Sequence, residues 1–318
     1  MGSISRETIR KQLISHSSLV LVLQIVVTIG LFLFAIRLLG AATDALTPFL
    51  RQRLSQIIVG DRSALGVSWF ASYVLANGSI VAALSLSLFN SDLILLSQLF
   101  LMIVGSRLGG AAVVVFIGAF DYLNEELDSF RESTSLGLLA FLLTHSIYLP
   151  VLVLGYFLIP TAQNTVGSGR ELPDLNANIP DIFGVGTEAL IGLFGGGIAF
   201  LVAIGLIFLS LKLFDKILDS IDKQRLRQRY ITKLNDKWTS FGIGLLITGM
   251  TTSVAFSLGV IVPLYKRGHI KRNEIMPYVL GANIGTLVDT LIVAIALDTS
   301  AGTFTVIILL AIGSIISV

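Results

Sequence analysis

Residues 248–290 have the sequence TGMTTSVAFSLGVIVPLYKRGHIKRNEIMPYVLGANIGTLVDT, and this stretch decides the fold. It consists of two arms, both rich in apolar and small residues, joined by a basic turn at residues 266–272. The first arm carries several hydroxyl side chains, and the second contains GANIGT at residues 281–286. This pattern predicts a membrane hairpin that contributes to a ligand site.

The cost of exposing peptide groups to lipid explains this prediction. A helix that breaks at membrane depth leaves N–H and C=O groups unsatisfied unless they line a cavity or bind a ligand. Glycine permits such a break, while Asn283 and Thr286 offer hydrogen-bond donors and acceptors without charge. A helix that resumes after Gly285 would point its N-terminal amides into the gap. We therefore expect an anion to bind there beside a cation.

The same stretch resembles the sodium-dependent phosphate cotransporter family, which comprises type II proteins and bacterial relatives. The resemblance lies in GANIGT at 281–286, with Pro277 four residues before it and Gly268 in the turn. In that family each of two repeats pairs a Gln-Ser-Ser-Ser arm with a Gly-Ala-Asn-Ile-Gly-Thr arm. Residues 252–255, TSVA, occupy the first place here and keep a single Ser. The resemblance implies sodium-driven transport of inorganic phosphate or another small oxyanion.

The composition independently indicates an integral membrane protein. Of the 318 residues, 54% are hydrophobic and only 13% are charged, whereas about a quarter of the residues in soluble domains are charged. The absence of cysteine excludes disulfides and thiolate metal sites. The pattern contains no nucleophile, base and orienting acid, so we expect neither an enzyme nor a nucleic-acid-binding protein.

An internal repeat is indicated by two alignments. Residues 29–38 align with residues 204–213, with a basic residue at the same point. Further along, Gly66, Gly105 and Gly109 fall on Gly242, Gly281 and Gly285 at one constant offset. We expect an N-terminal segment at 1–18, a first repeat at 19–160, an external loop at 161–186 and a second repeat at 187–318. The last helix ends at Val318 without a polar flank, which indicates truncation.

The predicted fold is all-α: a polytopic membrane protein with two inverted repeats, each with a re-entrant hairpin and a broken helix. Basic residues concentrate at 212–237 and 266–272, and both segments should face the cytoplasm, which a hairpin between them allows. We expect a cell-membrane protein with its N-terminus in the cytoplasm. Inverted repeats are typical of alternating access around a site near the midplane.

The candidate ligands are small or polar residues on the arms of both repeats. For the hydroxyl and amide residues, close helix packing is the competing interpretation. The predicted substrate contacts are Asn77, Gly78, Ser79, Arg107, Thr252, Ser253, Asn283, Gly285 and Thr286, and the predicted ion-coupling residues are Asn283, Thr286 and Asp289.

Arg107 takes the place of Asn283 in the first repeat. A charge in a membrane helix costs about 2.5–3.5 kcal/mol on insertion scales, which makes it a functional candidate. It could bind the anion, replace a sodium ion, or pair with Asp289. For Asp289, the alternatives are that same ion pair and a coupling site for sodium or a proton.

Three functions are compatible with these residues. The first is a sodium-coupled transporter, for which we expect no bound cofactor. Its expected partners are membrane lipid and a second copy of the chain in a homodimer. The second is a non-transporting scaffold or regulatory relative whose site has decayed, as the eroded Gln-Ser-Ser-Ser arms suggest. The third is a passive anion channel, which would show flux without accumulation.

Overall fold

A computed structural model of the chain describes residues 3–124, 130–167, 182–219, 236–252, 254, 257, 261 and 272–317. All regular structure within these ranges is helical, so the prediction of an all-α fold is confirmed. In chain order, the helices are α1 (Ser3–Ile57), α2 (Asp61–Val74), α3 (Gly78–Asn90), α4 (Leu96–Asn124), α5 (Phe130–Gly167), α6 (Gly184–Asp219), α7 (Lys237–Thr251), α8 (Arg272–Gly285), α9 (Leu287–Ala296) and α10 (Ser300–Ser317).

Five stretches of these helices are long and apolar enough to cross a membrane. They are Val20–Ile57, Phe141–Leu158, Gly184–Leu218, Ile275–Ala296 and Ser300–Ser317. Many of their large apolar side chains are exposed on the outer surface, as contact with lipid requires. The chain is therefore a multi-pass membrane protein. The predicted division at 161–186 lies partly outside the described residues and stays a prediction.

Helices α2 and α3 form a helical hairpin. Ala76, between them, adopts the left-handed conformation with φ of 51°, which helps reverse the chain. The reversed end lies beside the middle of α4, where a Cβ on Gly78 would be 2.6 Å from the carbonyl oxygen of Ser106. The N-terminus of α2 lies at the N-terminus of α4, where Ser97 Oγ donates to Asp61 Oδ1 at 3.0 Å. At about 1.5 Å per residue, neither arm is long enough to cross a hydrocarbon core of about 30 Å.

The packing of α2 on α4 is repeated by α7 on α8. In each pair, two glycines of the second helix bring its backbone against the first helix. Gly105 faces Leu65 and Gly109 faces Ser72 in the first pair, while Gly281 faces Phe241 and Gly285 faces Thr248 in the second. Helix α7 also ends at a left-handed residue, Thr252, whose φ of 52° matches that of Ala76. The two pairs share this pattern at the positions that the sequence alignment matched. We call α2–α4 the first unit and α7–α9 the second unit.

Helix directions differ between the two units. Ser79 of α3 bonds to Asp289 near the start of α9, and Leu86 lies against Gly302, just beyond the end of α9. Helices α3 and α9 therefore run parallel. Because α3 reverses into α4, helix α4 runs antiparallel to α9.

The predicted helix breaks are only partly present. In the second unit, Thr286 alone separates α8 from α9, and its φ of −64° and ψ of −21° are nearly helical. In the first unit, α4 continues without interruption through residues 105–110, so the predicted break there is wrong. The glycines at that point serve close packing against α2 and leave the helical hydrogen bonds intact. A different helix, α6, is interrupted at Gly195, whose φ of 77° and ψ of 159° favour glycine.

We predict that Gly281→Ala destabilises the protein by about 1–3 kcal/mol, because the added methyl group would overlap the carbonyl oxygen of Phe241. The matched control is Gly242→Ala in α7, since no described atom lies within 4 Å of a Cβ there. Thermal unfolding of both variants in detergent provides the measurement. Equal melting temperatures for the two would contradict the packing described here.

Candidate functional site

A cavity of about 280 Å³ lies where the reversed end of the α2–α3 hairpin meets the end of α8. Helices α4, α5 and α6 and the end of α7 contribute the rest of its wall. The predicted site residues that line it are Asn77, Gly78, Ser79, Arg107, Thr252, Asn283 and Thr286. The structure thus brings residues from both units to one place.

The hairpin end is held by its own hydrogen bonds. Asn77 is the N-cap of α3, and its Oδ1 accepts from the backbone N–H groups of Ser79 at 2.9 Å and Ile80 at 3.1 Å. An Asn cap stabilises a helix by about 1 kcal/mol relative to Ala. Gly78 lets this end approach the backbone of α4. The side-chain oxygen of Asn77 is therefore already engaged in shaping the cavity.

A buried ion pair joins the two units. Arg107 Nη2 lies 3.0 Å from Asp289 Oδ1 and also donates to Thr290 Oγ1. Thr290 Oγ1 donates to Asp289 Oδ1 at 2.9 Å, and Ser79 Oγ donates to Asp289 Oδ2. Arg107 is 7% exposed and Asp289 is 1% exposed. The ion pair that the sequence offered as one alternative is formed, and it connects α3, α4 and α9.

The Nε–H group of Arg107 is a buried donor without a hydrogen bond to the described residues. Arg107 nevertheless lines the cavity. Leaving a buried donor of a charged group unpaired costs more than about 1–3 kcal/mol. We call this group the spare Nε–H. An anion in the cavity would lie beside Arg107, and it would reach the spare Nε–H only after the surrounding side chains rearrange.

Asn283 is fixed by hydrogen bonds to four neighbours. Its Oδ1 accepts from Thr144 Oγ1 at 2.6 Å, and its Nδ2 donates to the carbonyl oxygen of Val279 at 2.9 Å. Its own carbonyl oxygen accepts from Tyr148 at 3.3 Å and from Thr286 Oγ1 at 2.6 Å. An amide side chain can form about four hydrogen bonds, so Asn283 retains capacity for a ligand.

The remaining predicted residues lie elsewhere. Gly285 does not line the cavity but packs against α7, where a Cβ would be 2.7 Å from the carbonyl oxygen of Leu245. Asp289 does not line the cavity but is bonded to Arg107 and Ser79, which do. Ser253 lies outside the described residues, so its placement stays a prediction.

The sequence analysis missed several residues of the wall. Thr144 and Tyr148 line the cavity one helical turn apart on α5, and this i, i+4 spacing of polar groups within an apolar run was the available signal. Asp215 of α6 also lines it and is exposed. Its position in a stretch of mixed charge gave no such signal.

Comparison with known proteins bears on the second half of the chain. Residues 199–317 match the family model described as Na+/Pi-cotransporter. The chain is also 27% identical over 101 residues to "Uncharacterized protein YqeW" of Bacillus subtilis (strain 168), a match that covers 31% of this chain and 33% of that protein. The matched region thus spans about a third of that relative's length. No solved structure matches the chain.

We predict that Asp289→Asn destabilises the protein by about 3–5 kcal/mol, because it leaves the Arg107 guanidinium buried without its counter-charge. Asp215→Asn is the matched control, since that carboxylate lines the same cavity but is exposed. Replacing both partners, as in Arg107→Met with Asp289→Leu, should recover most of the loss. Thermal unfolding measures all three variants, and similar losses for Asp289→Asn and Asp215→Asn would contradict the prediction.

Proposed function

Residues 199–317 match the Na+/Pi-cotransporter family, and from this premise we propose that the protein takes up inorganic phosphate or a similar small oxyanion together with sodium. The observation that carries the proposal is the cavity between the two units, which is lined by Arg107, by several uncharged polar residues and by Asp215. A membrane transporter is consistent with the five apolar stretches. The experiments below test phosphate as the substrate, sodium as the coupling ion and the transport cycle itself.

The chemistry of the cavity suits a small oxyanion. A guanidinium offers several N–H groups in a plane, which matches the geometry of phosphate and carboxylate oxygens. Asn283 lines the same cavity, and its Nδ2 has a second N–H that can donate to a further oxygen. The volume of about 280 Å³ falls just below the range of about 300–1,000 Å³ that is usual for drug-sized ligands. The cavity therefore has room for a small oxyanion together with a cation.

Charge balance supports a coupled cation. The positive charge of Arg107 is already offset by Asp289 at 3.0 Å, so an arriving anion would leave the site with net negative charge. The carboxylate of Asp215 also lines the cavity, so the added negative charge is costly unless a cation accompanies it. The side-chain oxygens of Thr252, Asn283 and Thr286 are the sodium contacts we propose, since they lie on one side of the cavity.

We infer alternating access from the arrangement of the units. Matching glycine contacts and left-handed residues relate the two units, and helices α4 and α9 run in opposite directions. These observations favour inverted repeats, in which the short α2–α3 hairpin enters the membrane and returns to the same side. The proposed orientation places the N-terminus in the cytoplasm.

The function can be tested by uptake of labelled phosphate into proteoliposomes with and without an inward sodium gradient. We expect accumulation that depends on sodium. Asn283→Ala should reduce uptake about 10- to 100-fold, because it removes hydrogen bonds from a site for a charged ligand. The matched control is Asn90→Ala, an exposed Asn at the far end of α3, which should leave uptake unchanged.

The outcomes separate the three functions. Accumulation against a gradient that Asn283→Ala abolishes would support the transporter. Flux that only equilibrates phosphate across the membrane would instead support a passive anion channel. A folded protein that moves neither phosphate nor sulfate under any gradient would reject both and leave a scaffold or regulatory relative.

A further inference from the structure

The guanidinium of Arg107 is bound by oxygen atoms of neighbouring side chains. Its Nη2 contacts Asp289 Oδ1 at 3.0 Å and Thr290 Oγ1, and Ser79 Oγ binds the other carboxylate oxygen. A carboxylate surrounded by hydroxyl groups is the ligand set that hard cations prefer. In this structure the cation beside the Asp289 carboxylate is the guanidinium of Arg107.

The two units differ in charge at equivalent positions. At the offset that matches the paired glycines, Arg107 corresponds to Asn283, and Asp289 corresponds to Val113. At these two pairs of positions, the first unit has a positive charge and no carboxylate, whereas the second unit has a carboxylate and no positive charge. Arg107 reaches from one unit to the other to complete the pair.

Arg107 borders both the cavity and Asp289. It is more than nine-tenths buried and lines the cavity, and its Nε lacks a partner within the described part of the chain. One guanidinium can therefore neutralise Asp289 through Nη2 while its charge attracts an anion in the cavity.

We propose that Arg107 is a tethered counter-cation that fills a monovalent cation site formed by Asp289, Thr290 and Ser79. The native chain then binds its oxyanion with one free coupling cation fewer than a chain without this arginine. Removing the guanidinium opens the site to sodium, and in Arg107→Asn the new amide supplies an additional oxygen ligand. The consequence for transport rests on the proposed function, whereas the cation site itself does not.

The experiment compares thermal unfolding of the purified full-length chain in sodium chloride, potassium chloride and choline chloride, without any oxyanion. We expect Arg107→Asn to gain a saturable, sodium-dependent rise in melting temperature beyond that of the native chain. The double variant Arg107→Asn with Asp289→Asn should lose this gain, because the carboxylate is gone. Arg107→Lys should also lack it, since the ammonium keeps the positive charge.

A second measurement uses phosphate as the probe. Replacing choline by sodium should tighten phosphate binding to Arg107→Asn by about tenfold more than it tightens binding to the native chain. The comparison separates the extra site from any other sodium site, because both chains share the latter.

Three results would overturn the proposal. The first is a folded Arg107→Asn chain whose response to sodium equals that of the native chain. The second is a sodium response that survives in the double variant. The third is an Arg107→Asn chain that unfolds equally in sodium and choline, since sodium should replace the lost charge. Failure of phosphate uptake with a positive unfolding result would reject only the proposed function.

Discussion

The ion pair between Arg107 and Asp289 is the interaction on which the junction of the two units depends. Both side chains are almost fully buried, so the attraction between the two charges offsets the cost of removing each from water. The carboxylate also fixes Ser79, which holds the hairpin end against the second unit. A neutral pair of similar volume could hold the helices together equally well. The presence of charge in an apolar interior is therefore in keeping with the proposed role in ligand binding.

Close packing of glycines creates the space in which this pair lies. In each unit, two glycines let one helix lie directly against the backbone of its neighbour, so the helices approach more closely than larger side chains would allow. The hairpin end then reaches the middle of α4, and Gly78 permits the last approach. Without this contact, the polar groups of the two units would be too far apart to share one ligand. Packing and site formation thus depend on the same small residues.

The sequence alone predicted the charged residues of the site, because the energetic cost of a charge in a membrane helix can be recognised without a structure. An arginine and an aspartate within apolar helices stand out because lipid penalises them, and Arg107 and Asp289 were found in this way. Thr144 and Tyr148 were missed because such residues are ordinary in packed helices and their partner is 139 and 135 residues away. The continuity of α4 through residues 105–110 was also missed. Glycine permits both a break and a close contact, and only the neighbouring helix decides between them.

The neutrality of the buried pair has an electrical consequence. Each unit charge that crosses the membrane field changes in energy by about 2.3 kcal/mol per 100 mV. A guanidinium and a carboxylate that stay 3.0 Å apart contribute opposite and nearly equal terms when they move together. In the proposed alternating-access cycle, an unloaded site would therefore reorient with little dependence on membrane voltage. An isolated arginine at the same depth would make that step voltage-sensitive.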